Sequence, residues 1–543
     1  MRPLRHLYIF HYHLLPGGVT TVIRDGLRAL LAQAGLFPDL RRITVVTAGQ
    51  PDGVLPAPDT LPGGTPRVVH ERLEAVAYDT APATAVEQRQ LADLLRQRYG
   101  DGVWWVHNHH LAKNTRFTGA VLAAAAAGQP MLLQIHDFPE CARPANLLRL
   151  LREVPASPYP AAANVRYAVL NRRDQAALAA AGLPAERVVL LANPVRPVAP
   201  LPAPDTPSAQ AARAALVRAA AAQSLGSGSY TSCRPLWLYP VRVRRRKNVL
   251  EAGLLACLAG ADLIVTLPAS SAAETPYSRQ VEELFAEGTI PGLFGVGERL
   301  EACGLSFDTL LTAAQRIVSP SVEEGFGFQF VNALQWRRPL LARRLPVLDD
   351  LDTLLEGYPA TIYDAVQCPL SGAARGALRA AYGAGIERVA RLLPAGWDDR
   401  LRAEMERVLS RDRVDFAFLG VAAQTDLLRR AGDRGLLREL QRANAPLLAA
   451  LQTTPARPPA RDRQIDELFG ETTFAHRVAA ALGVCRAGAP AADPTGLRTV
   501  GGAGPLDPLT TPPPAGSPEA NVQPEAVRRF FAGPATLRLL MES

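Results

Sequence analysis

The sequence predicts an α/β protein built from two doubly wound parallel-sheet domains in series, followed by a helical C-terminal part. Three observations predict it. Short, near-continuous apolar runs alternate with longer helical patterns through the first 420 residues, as expected for strands buried on both faces between crossover helices. A stretch rich in Pro, Ala, Ser and Gly, Pro194 to Gly228, interrupts the alternation before it resumes. Finally, glycines, histidines and isolated charges fall at the carboxyl ends of the expected strands, where open α/β sheets bind their ligands.

In the first domain, residues 1–196, strands are expected at Leu7–Phe10, Ile43–Thr47, Val103–Val106, Met131–Ile135, Tyr167–Leu170 and Val188–Leu191, with helices such as Thr20–Ala34 and Asp174–Ala181 between them. Residues 197–233 read as an interdomain linker with a short helix near Ala209–Ala222. The second domain, residues 234–420, has strands expected at Leu236–Tyr239, Leu263–Leu267, Arg316–Ser319 and Leu340–Ala342. Residues 421–487 form a helical extension, 488–518 a Gly/Pro-rich flexible segment, and 519–543 a last helix. Two such domains would set a ligand cleft between the carboxyl ends of their sheets.

Composition excludes several classes. At 543 residues, with 48% apolar and 20% charged side chains, the chain has ample core and more than one domain. The net charge of +8 comes from arginines interleaved with Asp and Glu, with no basic tail, helix-turn-helix pattern or aromatic RNA-binding signature, so no nucleic-acid partner is expected. The six cysteines are far apart and form no CxxC, which argues against a disulfide framework or a zinc site. The start of the chain reads as a first strand rather than a signal peptide, and no apolar run is long enough for a transmembrane segment, so a cytoplasmic enzyme is expected.

Lys113 and Lys247 are the only lysines among 59 basic side chains. A lysine kept in so arginine-rich a chain points to a need for a compact, mobile point charge. With Arg242 five residues earlier at a strand end, Lys247 reads as half of a diphosphate clamp, or as part of a solvated basic turn. A second segment, Ser319 to Ala333, ends a strand with Glu323-Glu324, continues through Gly325-Phe326-Gly327-Phe328 and opens an apolar helix. Such a loop offers amides to an anion while Glu324 accepts hydrogen bonds from hydroxyls; a sugar joined to a diphosphate suits both.

Three further segments lie at strand ends of the first domain. Gly17-Gly18 precedes a helix whose N-terminus favours negative charge, or is simply a turn. His107-Asn108-His109-His110-Leu-Ala-Lys113-Asn114 offers polar groups to an acceptor pocket; its histidines lack the spacing of metal ligands. His136-Asp137 could orient a sugar hydroxyl or serve proton transfer, with Asp137 alternatively a helix N-cap. Asp350-Leu-Asp352 has the letters of a metal-binding Asp-x-Asp, but with Asp349 it reads as a helix start.

These motifs resemble those of retaining GT-B glycosyltransferases of family 4 over residues 1–420. The resemblance implies two Rossmann-like domains facing a central cleft, with the last helix packing back on the first domain. It implies a nucleotide diphosphate sugar as donor, transfer without a metal ion or other cofactor, and a carbohydrate, small-molecule or lipid acceptor. Arg242 and Lys247 would bind the diphosphate, Glu324 the donor sugar, and the Gly17-Gly18 loop would lie near phosphates and acceptor. His136 and Asp137 would lie near the sugar, and Arg172 and Asn193 match less specific cleft segments. The family pattern places a second glutamate, for the ribose hydroxyls, where this chain has Asn332.

As the glycosidic bond breaks, negative charge grows on the leaving diphosphate, so its stabilisation by Arg242, Lys247 and the amides near Gly327 is the main expected catalytic task. Rival readings are a sugar phosphorylase or epimerase on the same fold, and a catalytically silent nucleotide-sugar-binding or scaffold protein, motivated by Asn332. Loops such as Arg67 to Arg89 and His107 to Asn114 are expected to choose the acceptor.

Overall fold

The computed structural model describes residues 3–483, apart from 51–52, 54, 56–64, 142, 155, 200, 204–205, 223–233, 301, 391–394 and 453–457. The expected flexible segment 488–518 and last helix 519–543 lie outside the described residues. The chain divides into two compact units, one holding Met1–Arg196 and the segment from Gln464, the other Pro197–Arg391 and Gly396–Arg463.

In the first unit, β1 (His6–Phe10), β2 (Arg42–Thr47), β3 (Arg67–Arg72), β4 (Val103–His107), β5 (Met131–Ile135), β6 (Val165–Val169) and β7 (Val188–Leu190) form one sheet in the order β3-β2-β1-β4-β5-β6-β7. Every pairing is parallel. Crossover helices α1 (Gly18–Ala32), α2 (Ala85–Tyr99), α3 (Thr115–Ala126), α4 (Pro144–Glu153) and α5 (Arg172–Ala180) complete it. Period-two alternation sends Tyr8, Phe10, Trp104 and Val106 into one core, with α2 and α3, and Leu7, Ile9, Val45 and Trp105 into another on the opposite face, with α1.

The second core is completed from far along the chain. The helix Glu471–Ala481 buries Phe474, Ala475, Val478 and Ala479 there, and Phe474 stacks on Trp105 at 6.3 Å. Arg166 donates to the carbonyls of Ala480 and Ala481, both at 2.9 Å, satisfying acceptors at the helix end. Residues 421–487, expected as one extension, are therefore divided between the units, with helices Val421–Arg430, Arg434–Ala443 and Ala445–Gln452 in the second.

The second unit repeats the winding. Strands β8 (Leu236–Arg242), β9 (Asp262–Leu267), β10 (Gly292–Phe294), β11 (Arg316–Ser319), β12 (Leu340–Arg343) and β13 (Ala360–Tyr363) are ordered β10-β9-β8-β11-β12-β13, all parallel. The helices α6 (Pro207–Ala222), α7 (Val249–Ala259), α8 (Thr275–Ala286), α9 (Phe307–Ala313) and α10 (Phe328–Gln335) belong to it. Both sheets are thus Rossmann-like and doubly wound, with the winding reversing between β1 and β4 in one and between β8 and β11 in the other.

Several details differ from the sequence expectations. α6 is longer than the short linker helix and joins the second unit, where Arg213 donates to Ala313 O at 2.9 Å and Arg338 to Pro202 O at 2.7 Å. Arg67 to Arg89 is not one loop but begins with β3 and runs into α2. Asp349 and Asp350 lie within a 3₁₀ turn, Pro346–Leu351, and the following α-helix starts at Asp352. Among the described residues, no helix is long and apolar enough to cross a membrane.

Candidate active site

At the reversal point of the second sheet, the loops after β8 and β11 are stitched together. β8 carries a register shift between Tyr239 and Arg242, and the chain then makes a 3₁₀ turn, Arg245–Lys247. Asn248 follows in the left-handed region (φ 52°) and starts α7. Main-chain and side-chain bonds cross to the β11 loop: Val322 N donates to Arg246 O at 2.9 Å, Arg246 to Glu323 O at 3.4 Å, and Asn248 Nδ2 to Pro320 O at 3.3 Å. The Tyr239 hydroxyl, fully buried, donates to Lys247 O at 2.8 Å and meets Ser321 Oγ at 2.9 Å.

This stitching places the Lys247 ammonium in a hydrogen-bonded ion pair with Glu324, with side chains only 14% and 9% exposed. Burial pulls the Lys247 pKa below its ordinary value, against the field of Glu324 and with the help of Arg246 and Arg244. For Glu324, burial pushes upward, but the charges of Lys247 and Arg246, the hydrogen bond from Lys247 and the nearby Ser321 hydroxyl outweigh it and hold the carboxyl low. Glu324 is therefore ionised at neutral pH and in part neutralised by its partner.

Arg242 is half-buried and donates to Pro268 O, at 3.1 Å, beyond the end of β9. The arginine whose charge acts on both Lys247 and Glu324 is Arg246, which the sequence reading did not single out. Gly327 adopts φ 79°, and a Cβ there would meet the Phe330 ring at 2.5 Å, so only glycine fits this turn into α10. The start of α10 has neither a side-chain cap nor an acidic residue in its first turn, and Phe326 and Phe328 meet edge to face beside Gly325 and Gly327. Asn332 is half-buried one turn into α10. Gln329 donates to Pro240 O at 2.8 Å.

A buried charge cluster underlies these loops. Arg343, on β12, forks to Glu251 (2.6 Å) and to Asp415 (2.8 Å), with Arg343 and Glu251 wholly inaccessible to solvent. Burial alone would lower the Arg343 pKa, but Asp415 and Glu251 outweigh it and keep the guanidinium charged. Tyr363 donates to Glu251 Oε1 at 2.7 Å, and Asn248 Nδ2 to Glu251 Oε2 at 2.9 Å. The residue after Lys247 thus rests on the cluster.

In the first unit, the reversal point gathers imidazoles. His107 Nδ1 and His136 Nε2 are 2.9 Å apart, and the His136 amide donates to Asn108 Oδ1 at 2.8 Å. Burial lowers the pKa of His11 to about 3 and of His136 and His109 to about 4, with neighbouring imidazoles adding to the effect on His11, so all are neutral at pH 7. Among the described residues, no group of three or more His, Cys, Asp or Glu is placed to hold a metal ion.

The remaining candidates are distributed around these strand ends. Gly17 and Gly18 are exposed where α1 begins; Gly17 is extended, and a Cβ on Gly18 would meet nothing within 4 Å, so this unit's fold requires neither glycine. His109 is wholly buried with Nε2 2.8 Å from Pro158 O, and Asn114 caps α3 while donating to the carbonyls of Ala75 and Ala77. The Lys113 ammonium lies 5.6 Å from the centre of the Tyr78 ring. Asp137 pairs with Arg143 at 2.9 Å rather than capping α4, whose N-cap is Arg143. Arg172 is exposed at the first turn of α5, and Asn193 is buried.

No protein-family model matches this chain. A mannosylglucosyl-3-phosphoglycerate synthase from Petrotoga mobilis is 29% identical to it over 429 residues, covering 78% of this chain and 80% of the relative. Among solved structures, HepE from Anabaena in complex with UDP and glucose superposes with a TM-score of 0.45 at 13% identity, over 88% of this chain and 99% of its own. The catalytic domain of starch synthase IV from Arabidopsis thaliana, bound to ADP and acarbose, gives 0.44 at 10% identity, over 89% and 100%. At such scores the fold assignment rests on strand order and winding, not on the superpositions.

Proposed function

We propose that this protein is a retaining glycosyltransferase that moves a sugar from a nucleotide diphosphate sugar to an acceptor hydroxyl without a metal ion, with the donor bound by the second unit. The observation that carries the reading is the buried Lys247–Glu324 pair at the reversal point of the second sheet. A donor sugar nucleotide answers both members, the diphosphate taking the ammonium and the sugar hydroxyls taking the carboxylate.

In the reaction, the bond from the anomeric carbon to the diphosphate oxygen breaks with its electron pair leaving on the diphosphate. The acceptor oxygen bonds to the same face of that carbon, and the acceptor proton passes to the departing phosphate, so no separate base is required. Lys247, Arg242, Arg246 and the N-terminus of α10 stabilise the growing charge, and losing one such group costs on the order of 10² to 10³ in rate. Gly325, Phe326, Gly327 and Phe328 line the phosphate side. Asn332 accepts from the nucleoside hydroxyls, a neutral acceptor in place of a charged one at a loss of about 1 kcal/mol.

We assign the acceptor to the first unit, with His136, Asp137, Lys113, Arg172, Asn193 and the Gly17-Gly18 loop. The relative from Petrotoga mobilis bears the name of a phosphoglycerate glycoside synthase, and we assign this chain an acceptor of the same class, a small hydroxylated organic acid or phosphate. Lys113, Arg143 and Arg172, which follow β4, β5 and β6 in the chain, and the uncapped start of α1 suit such an anion.

The test is transfer and slow hydrolysis from UDP-, GDP- and ADP-sugars, with 3-phosphoglycerate, its glycosides and free sugars as acceptors. Turnover with one donor, reduced at least about a hundredfold in Lys247→Ala and Glu324→Ala, is the expected result. Saturable nucleotide binding without turnover would overturn the enzyme reading in favour of a silent binding protein.

A further inference from the structure

Two hydroxyls lie behind the Lys247–Glu324 pair and join the two loops that carry it. Tyr239 and Ser321 are wholly buried, the first within β8 and the second just past the end of the neighbouring strand β11. Tyr239 Oη reaches Lys247 O at 2.8 Å and Ser321 Oγ at 2.9 Å, which ties the Lys247 backbone to the loop that carries Glu324, and Ser321 is among the groups that hold the Glu324 carboxyl low. The proton count is consistent. A carbonyl only accepts, so Tyr239 gives its one hydrogen to Lys247 O, and the Ser321 hydroxyl donates to the phenol oxygen.

We infer that Tyr239 and Ser321 are positioning residues, a two-hydroxyl tie that sets the separation and orientation of Lys247 and Glu324 for the donor. The inference rests on the donor-site reading above. It follows from where the tie attaches: lysine is a flexible stem, the backbone that carries it is anchored at its carbonyl by Tyr239, and the same phenol holds Ser321, three residues before Glu324, alongside the main-chain and Asn248 bonds that join the two loops. Burial on both sides excludes water that would otherwise replace either bond. Burial also keeps the Tyr239 phenol protonated, pushing its pKa upward, with Glu324 adding to the effect, so the tie does not open within the working pH range.

Each oxygen can be removed without changing shape, in Tyr239→Phe and Ser321→Ala. Kinetics well below the unfolding temperature, with circular dichroism to verify the fold, should show kcat/KM for the donor reduced about ten- to a hundredfold in each. The double variant should be no more than about threefold worse than the weaker single, because one tie is lost only once. Ser321→Thr, which keeps the hydroxyl, should retain most of the activity and holds the test open if either oxygen deletion fails to fold. Activity within about threefold of wild type in both folded single variants overturns the tie while leaving the transferase reading intact, as do losses that simply multiply in the double. Wild-type protein inert towards every donor overturns the reading and, with it, this inference.

Discussion

Lys247 and Glu324 neutralise each other across the ends of β8 and β11. A free nucleoside diphosphate has an anion for Lys247 but lacks the donor sugar whose hydroxyls would meet Glu324, so it must compete with the carboxylate. Glu324→Gln removes that competition. The expected outcome, read by calorimetric titration, is nucleoside diphosphate binding tightened by roughly tenfold, about 1.4 kcal/mol, together with transfer slowed at least about a hundredfold. Weaker nucleotide binding in the variant would count against the competition.

Arg343 satisfies two buried carboxylates at once, so its removal leaves both uncompensated. Arg343→Met should destabilise the protein by roughly 3–5 kcal/mol. Urea denaturation followed by tryptophan fluorescence measures it, with Trp237 and Trp336 buried in the same unit. Glu251→Gln, which keeps hydrogen-bonding atoms in place, should cost less.

Acid should destabilise the first unit before it damages the donor site. An unfolded histidine titrates near pH 6.5, while folded His11 takes a proton only near 3 and His109 and His136 near 4. Between those values the unfolded chain binds more protons. Stability therefore falls as pH drops below about 6.5, with a slope approaching about 1.4 kcal/mol per pH unit for each histidine, and is level above pH 7 in this respect. Denaturation midpoints at pH 7 and pH 5 test it, and these histidines should add no inflection to the activity profile between pH 6 and 8.

Two glycines separate structural from functional need. Gly327→Ala forces a Cβ into a left-handed turn against Phe330 and should cost about 1–2 kcal/mol of stability along with donor binding. Gly18→Ala adds a methyl to open space at the start of α1. Thermal unfolding should be unchanged or slightly raised, while kcat/KM falls if the loop closes on a ligand.

The central strands were legible because burial on both faces leaves little room for polar letters; β5 matched its expected span and β11 did also. The strands of the two large sheets that were not expected, β3, β10 and β13, are sheet edges, and a separate antiparallel pair, Gln367–Pro369 with Arg413–Asp415, was not expected either. β3 is half-exposed and carries His70, Glu71 and Arg72, and β10 is only three residues long, so neither makes a recognisable apolar run. The candidate site was legible as residue types at strand ends, but the pairing of Lys247 with Glu324 depends on β8 lying beside β11, which no local pattern states. Arg242 was read as the partner of Lys247 from their five-residue spacing, whereas Arg246, whose charge also acts on the pair, and the register shift between Tyr239 and Arg242 have no local signal. His109 and Asn114 looked like pocket polarity, yet both bond carbonyls far away in sequence, at Pro158 and at Ala75 and Ala77. The helix Glu471–Ala481 had a usable signal in the spacing of Phe474, Ala475, Val478 and Ala479, but nothing local tells which sheet it covers.

That helix makes the first unit discontinuous in sequence. During synthesis, Ile23, Leu27 and Trp105 are in place long before Phe474 and Val478 exist to cover them, because the whole of Pro197–Arg391 and Gly396–Arg463 must be made in between. At roughly 5–20 residues per second the interval is on the order of tens of seconds. For that time the nascent chain carries an oily, unfinished flank that is covered only once the helix Glu471–Ala481 is made.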